Sequence, residues 1–392
     1  MSKVYIVSAK RTPMGSFGGQ LSKFSATKLG SLAIKAAIES SGIDISTVDE
    51  VFFGNVCSAN LGQAPARQAA LGAGISNQVP CTTVNKVCSS GMKSVMFGAQ
   101  SIALGQADII VTGGMESMSN VPFYVPKMRW GSKFGGSEIV DGLQKDGLID
   151  AYDHQAMGNC GDATAEKYGF SREDQDSYAI SSYKRAAEAT EKGFFNNEIA
   201  AVEIPQRKGD PVLMTEDEEY KNVKFDKIPN LRPAFSKTGT VTAANASTLN
   251  DGAAALILAS EEAVKKYGLT PIAEVLSYAD AAHEPQWFTT APTKAAPKAL
   301  KRAGLELSDV DYFEVNEAFS AVAMAFGEEL KVNHDIMNVH GGAVSLGHPL
   351  GCSGARITTT LLNVLEHQDG EIGCATLCNG GGGASAIVVK KV

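Results

Sequence analysis

The chain has 392 residues, room for about two to four domains, and with 44% apolar and 20% charged residues it fits neither a disulfide mini-scaffold nor a disordered polymer. Its 35 Lys and Arg against 43 Asp and Glu give a net charge of −8, and no basic run is longer than Lys390-Lys391, which argues against nucleic acid or an anionic membrane as partner. Seven cysteines with no C-x-x-C spacing read as reduced thiols rather than a zinc site, and no apolar run approaches the ~18 residues of a membrane span.

The first element, VYIVSA from Val4, reads as a strand. It leaves no room for a leader, so a cytoplasmic protein is expected, with a processed organellar form as the alternative. A helical stretch at 33–41, a turn at Gly42 and the strand VFFGN come next. The same succession returns at 295–303, Gly304 and YFEVN, where Gly304-Leu305-Glu306-Leu307-Ser308-Asp309-Val310-Asp311 echoes Gly42-Ile43-Asp44-Ile45-Ser46-Thr47-Val48-Asp49. A second echo sets Gly252–Leu258 over Gly383–Val389. Short apolar strands (108–112, 373–377) alternate with helical stretches (89–105, 352–367), the pattern of α/β layers. Two related α/β halves are therefore expected, 1–118 with 250–270 and then 271–392. Between them, 119–249 is Met- and Gly-rich, then helical (172–192), then charged (206–227), and reads as an inserted loop domain of functional use.

Three segments join a reactive side chain to glycine-dependent backbone. In Val84-Asn85-Lys86-Val87-Cys88-Ser89-Ser90-Gly91-Met92 a strand meets a helix at Cys88, and a helix N-terminus favours thiolate; the plain alternative is a small buried hydrophobe. In 338–356, His348 lies between glycines and a proline just ahead of a helix, while His340 reads as structural. In Ala375–Gly383 a strand ends in Cys378 and four glycines, whose N–H groups can converge on an oxyanion or form a flexible turn. Asn316, after YFEV, can orient a water, and Glu317 can equally be a helix-start acid without chemical role. Two cysteines and a histidine at strand-to-helix ends suggest acyl transfer through a thioester.

The blocks VNKVCSSGMKSV (84–95), GGMESMSNVP (113–122), GTVTAANASTLNDGAAA (239–255), NEAFS (316–320), GGAVSLGHPLGCSGAR (341–356) and CNGGGGASA (378–386) resemble, in this order, those of thiolases, and most closely the acetyl-CoA C-acetyltransferases among them. That resemblance implies two related five-layered α/β halves (αβαβα), a loop domain holding coenzyme A, and a homotetramer. It implies acetyl-CoA, acetoacetyl-CoA and free CoA as reactants, with no tightly bound cofactor. Cys88 would be the acyl-accepting nucleophile, His348 its base, and Cys378 the group that moves the proton at C2 of acetyl-CoA. One oxyanion hole would come from His348 and a water on Asn316, the other from the N–H groups of Cys88 and Gly380, which would explain the glycine. CoA contacts carried over by motif are Leu148, Met157, Tyr220, Ala234, Phe235, Ala243, Ser247, Ala318 and Phe319, with Phe288 beside the acyl group. Ala156 and Tyr220 depart from the histidine and arginine common in relatives. TVTAANAS and Phe288 resemble the potassium-activated subgroup, in which Tyr183 and the carbonyls of Ala243, Ala244, Ala246 and Val344 would hold the ion.

Competing readings are a longer-chain 3-ketoacyl-CoA thiolase with the same catalytic set, a non-catalytic thiolase-like lipid-binding protein, and a β-ketoacyl or hydroxymethylglutaryl-CoA synthase, against which Cys378 counts. A cysteine hydrolase would have to admit water to the acyl-enzyme. No G-x-G-x-x-G follows the first strand, which disfavours a nucleotide-dependent dehydrogenase.

Overall fold

The structure, a computed structural model, describes residues 2–392. Nine strands dominate it: β1 Val4–Arg11, β2 Glu50–Gly54, β3 Cys81–Val84, β4 Ile109–Ser117, β5 Asn250–Ser260, β6 Ala273–Ala282, β7 Tyr312–Val315, β8 Ile372–Asn379 and β9 Gly383–Lys391. They lie in the order β3-β2-β4-β5-β1-β6-β9-β8-β7, with the short strand Gly15–Ser16 beside the start of β5. Read inward from either edge the sequence of roles is the same. β2 pairs β4 and β7 pairs β8 in parallel, while β4–β5–β1 and β8–β9–β6 are antiparallel. A parallel bridge from Phe313 to Met337 stands where β3 stands in the first half. The halves meet edge to edge through a short β1–β6 ladder at Tyr5↔Glu274 and Ile6↔Ala273.

The helices make five layers with this sheet. On one outside, α1 Ala26–Ser41 lies over β5 and β4 and beside α2 Pro65–Gly72; on the other, α6 Pro292–Ala303 covers β6 and β9. Both outer helices end on a left-handed glycine, Gly42 and Gly304, each with φ 73°, so the sequence echo is a shared helix stop. The middle layer is α3 Ser90–Ala103 against the final helix of the chain, Leu350–His367, with the first half's sheet on one side and the second's on the other. The αβαβα stack thus belongs to the whole chain, each half supplying one sheet, its outer cover and one central helix.

Burial follows from that placement. Leu256 and Leu258 of β5 enter the central core, whereas Ala255 and Ile257 enter the outer one. Strands covered on both faces need continuous apolar runs rather than alternation, and all eleven residues of β5 are buried. The two central helices approach backbone to backbone. A Cβ on Gly354 would lie 2.4 Å from the Met92 nitrogen, and one on Gly91 would lie 2.8 Å from the Ala355 nitrogen, so only glycine fits at this crossing.

Between β4 and β5 the chain forms α4 Met157–Tyr168, α5 Arg172–Glu191 and two small antiparallel ribbons, Phe123–Tyr124 with Val140–Asp141 and Val202–Ile204 with Val212–Met214. α5 starts on a capping box in which Ser171 and Asp174 satisfy each other's backbone N–H. Just beyond its end, Phe194 packs against both His340 (4.9 Å) and His367 (4.6 Å), whose rings lie 5.9 Å from each other. His340 is buried with neither ring nitrogen bonded, and burial, helped by the charges of His367 and Lys192, lowers its pKa to about 4.

Because His340 resists protonation only when folded, its contribution is complete above the ordinary imidazole pKa of about 6.5 and drains away as pH falls toward 4. His340→Leu should therefore narrow the loss of unfolding free energy between pH 7 and pH 5 by about 2 kcal/mol, measured by denaturant titration at both pH values. An unchanged gap would contradict this.

Candidate active site

Cys88 sits where β3 turns into α3, two residues before the first helical residue. The turn is held by its own side chains. Asn85 Oδ1 accepts from the Val87 N–H (3.0 Å), and Ser90 Oγ accepts from the Lys86 N–H (2.8 Å) while donating to the Val87 carbonyl (2.6 Å). Val87 is left with φ 47°, a left-handed conformation that a β-branched residue adopts only under constraint. Lys86 and Lys93 reach across to Asp280 of β6 in the other half (2.5 and 2.7 Å), so both halves fix the turn that carries Cys88.

The N–H groups of Cys88 and Gly380 face the Cys88 sulfur, but burial outweighs them and pushes the thiol up to about 12. The expectation that the helix end would favour a standing thiolate is thus corrected: in this apolar surrounding the resting group is a thiol, and it needs a base. Gly380 lines the cavity, yet neither clash nor backbone angle demands glycine there, since a Cβ would find only Met157 and Val87 at 3.5 and 3.7 Å. What its absence leaves open is space beside Cys88. The conformational need falls on Gly381 and Gly382, with φ 83° and 86°.

His348 precedes the final helix, α8 Leu350–His367. Its backbone N–H donates to Asn250 Oδ1 (2.9 Å), and Gly347 before it has φ 103° and no room for a Cβ against Asn250. The Ser353 hydroxyl donates to the Pro349 carbonyl (2.8 Å) and so accepts from His348 Nδ1, 2.6 Å away. With one hydroxyl proton to give, this assigns the Nδ1–H tautomer and leaves Nε2, which has no other partner, as the basic nitrogen. Burial, and then the charge of Arg356, lower the imidazole to about 3, so it is neutral at physiological pH. Glu116, from the GGMES block, accepts from the N–H groups of Gly351, Val56 and Cys57 (2.9, 3.1 and 3.2 Å) and ties the start of α8 to the first half.

Cys88, His348 and Gly380 open onto one cavity of 540 Å³. The insertion walls it with Leu148, Met157, Ala234 and Phe235, the TVTAANAS stretch with Ala243 and Ser247, and the second half with Phe288, Ala318 and Phe319. Its only charged lining side chain is Glu219. Cys378 stands behind this wall, fully buried in an apolar cluster with Met157, Phe288 and Phe319 and close enough to Cys88 for their charges to interact. Burial raises its thiol well above the ordinary range. Asn316 is 1% exposed with neither amide atom bonded. Tyr220 is the CoA candidate that does not line the cavity: its hydroxyl donates to Glu216 (3.0 Å) and its ring packs against the buried clusters of Phe195 with Leu346 and of Tyr183 with Val344.

Glu317 is no helix-start acid. It is fully buried and accepts from Tyr178 (2.9 Å), Ser182 (2.8 Å), Asn338 (3.0 Å) and the Val344 N–H (3.0 Å), binding α5 to the segment that leads to His348. Nothing in NEAFS signals this, because the partners are distant in sequence. Ser353 and Asn250 escape the sequence reading for the same reason. Of the potassium candidates, Tyr183 packs on Val344, Ala243 and Ala246 border the cavity, and the carbonyls of Ala243, Ala244 and Ala246 accept no hydrogen bond among the described residues. Unpartnered carbonyl oxygens are the kind of donor a weakly hydrated monovalent cation takes.

Residues 4–262 match the thiolase N-terminal domain and residues 269–391 the thiolase C-terminal domain. The chain is a thiolase. Relatives include the acetyl-CoA acetyltransferase of Schizosaccharomyces pombe, 56% identical over 392 residues (100% of this chain, 99% of that one). A protein of Gibberella zeae named as a cytosolic acetyl-CoA acetyltransferase is 54% identical over 390 residues (99% and 98%). The crystal structure of Acat5 thiolase from Ascaris suum in complex with coenzyme A superposes with TM-score 0.95 at 49% identity, covering all of both chains.

A neutral His348 predicts that acetyl transfer to Cys88 stays near its full rate through pH 6, where an ordinary imidazole would be mostly protonated. The pH profile of acetyl exchange between acetyl-CoA and labelled CoA reports this, and an acid limb centred at 6.5 or above would refute it.

Proposed function

We propose that this thiolase is an acetyl-CoA C-acetyltransferase, which joins two acetyl-CoA into acetoacetyl-CoA and CoA and runs the reverse thiolysis. The observation that carries the reading is the opening of Cys88, with a neutral His348 and the N–H of Gly380, onto a single apolar cavity, in a chain 56% identical from end to end to an acetyl-CoA acetyltransferase. Cys88 Sγ attacks the thioester carbonyl, His348 Nε2 takes the thiol proton, and the departing CoA sulfur receives it. Negative charge that develops on the carbonyl oxygen is met by the N–H groups of Cys88 and Gly380. The Cys378 thiol passes its proton to His348 Nε2, and the thiolate so formed takes the C2 proton of the second acetyl-CoA. The enolate carbon attacks acetyl-Cys88, the carbon–carbon bond forms, the C–S bond breaks, and His348 returns the proton to the Cys88 sulfur. A water on Asn316 and the Nε2–H that His348 carries at this stage hold the enolate oxygen. Burial suits Cys378 to this task, because a thiol with a raised pKa is, once ionised, a stronger base toward a weakly acidic C–H.

Met157, Phe288 and Phe319 close the cavity around the acyl end and favour short acyl groups. Tyr183 with the carbonyls of Ala243, Ala244, Ala246 and Val344 forms the potassium site of this reading. A cation there would neutralise the converging carbonyls and stiffen the wall at 243–246. The exposed side chains of Phe123, Met128, Trp130, Phe134 and Ile139 in the insertion support a homotetramer, and the cytosolic relative supports a cytoplasmic enzyme.

Acetoacetyl-CoA cleavage by free CoA, compared with 3-ketohexanoyl- and 3-ketodecanoyl-CoA in potassium and in sodium buffer, should show preference for the C4 substrate and faster turnover in potassium. Preference for the longer substrates would move the chain to the longer-chain thiolases, equal rates in both buffers would remove the ion, and cleavage of none would reopen the binding-protein reading. Cys378→Ala should lose about 10²–10⁴-fold in condensation while Cys88 still becomes acetylated by labelled acetyl-CoA; wild-type condensation would sink the role given to Cys378.

A further inference from the structure

The block GGAVSLGHPLGCSGAR ends in Arg356, which the chemistry above does not use. Its guanidinium is fully buried in the middle of α8, and none of Nε, Nη1 or Nη2 has a hydrogen-bond partner. The nearest opposite charge is Glu314 Oε2, 3.8 Å from Nη1, beyond hydrogen-bond range; both side chains are 1% exposed, and Glu314 Oε1 is also unpartnered. Arg11 shows how this protein treats a buried arginine of purely structural use. It is equally enclosed, yet donates to Glu198 (2.5 Å), to both oxygens of Asp217 (2.6 and 2.9 Å) and to the Thr12 carbonyl (3.2 Å). Buried polar atoms without protein partners are ordinarily satisfied by internal water, so Arg356 and Glu314 define a polar seam between α8 and β7.

The place of that seam gives it meaning. Ser353, three residues before Arg356 on one face of α8, holds His348 Nδ1. Phe313 and Val315 of β7 face the outer core, so Glu314 and Asn316, alternating with them, face α8. The pair therefore bridges the helix that sets His348 and the strand that sets Asn316, directly behind those two groups, and the guanidinium is near enough to His348 for its charge to act on the ring.

We propose that Arg356 and Glu314 are positioning residues for carbon–carbon bond formation: with water between them they fix the separation of Asn316 from His348, and so the oxyanion hole of the enolate, without touching substrate. The inference rests on the function proposed above. It separates two half-reactions that a general loss of structure would lower together. Acetyl exchange between acetyl-CoA and labelled CoA needs Cys88, His348 and the Cys88/Gly380 N–H groups, whereas condensation also needs Asn316 held opposite His348.

The test measures both rates for wild type, Arg356→Met, Arg356→Lys and Glu314→Gln, with thermal unfolding of each. Arg356→Met should lose about 10²-fold in condensation kcat, the size expected when a remote change misplaces reacting groups by about 1 Å, with exchange within about threefold and the KM for CoA unchanged. Arg356→Lys should recover part of the loss. Parallel loss of exchange and condensation, or loss of neither, would overturn the proposal. Should Arg356→Met fail to fold, the same ratio in Arg356→Lys and Glu314→Gln decides it. Wild-type protein inactive in both assays would instead refute the underlying function.

Discussion

The active centre depends on a close crossing of two helices. α3 and α8 come from different halves, and each begins beside a reactive residue, Cys88 before one and His348 before the other. Gly91 and Gly354 let their backbones touch where larger residues would hold them apart, since a Cβ on Gly91 would meet the Ala355 nitrogen at 2.8 Å and the Gly351 carbonyl at 2.9 Å. A methyl group at such a site would force shifts that a close-packed interior resists. The distance between Cys88 and His348 is thus set by backbone contact, the least compliant ruler a protein has.

Around that crossing, burial is the main electrostatic agent. It keeps the Cys88 thiol protonated, the His348 imidazole neutral and the Cys378 thiol protonated, so none of the three carries a full charge at rest. Neutral partners suit a reaction whose charge appears transiently on carbonyl oxygens, because donors fixed in a dry site need little rearrangement when it does. The charges that do exist nearby are taken up by backbone N–H groups, as at Glu116, or span the two halves, as at Lys86, Lys93 and Asp280.

Much of this was legible in the sequence. The Gly42 and Gly304 echo marks helix stops because an αL cap is a local event, and the strand-to-helix change at Cys88 shows as a change of periodicity. The motif blocks contain Cys88, His348 and more than half of the cavity wall. What escaped depends on partners far along the chain. Glu317 reads as a helix-start acid until Tyr178, Ser182, Asn338 and Val344 are seen around it. The Cys88 thiol was expected to ionise because a helix end is visible in sequence, whereas its burial by both halves is not. Tyr220 was carried over by position in a motif, but a ring's direction is decided by packing, here against the clusters that hold Phe195 and Tyr183.

The sheet that joins the halves also shapes how the chain must acquire its form. β1, residues 4–11, has as neighbours β5 and β6, residues 250–260 and 273–282, so its partners leave the ribosome only after the long stretch of chain between them has been made. Pairing over such sequence separation is slow, since the intervening loop must close before any ladder forms. Until then an apolar edge stands open, and a nascent chain of this kind is a natural client for chaperones.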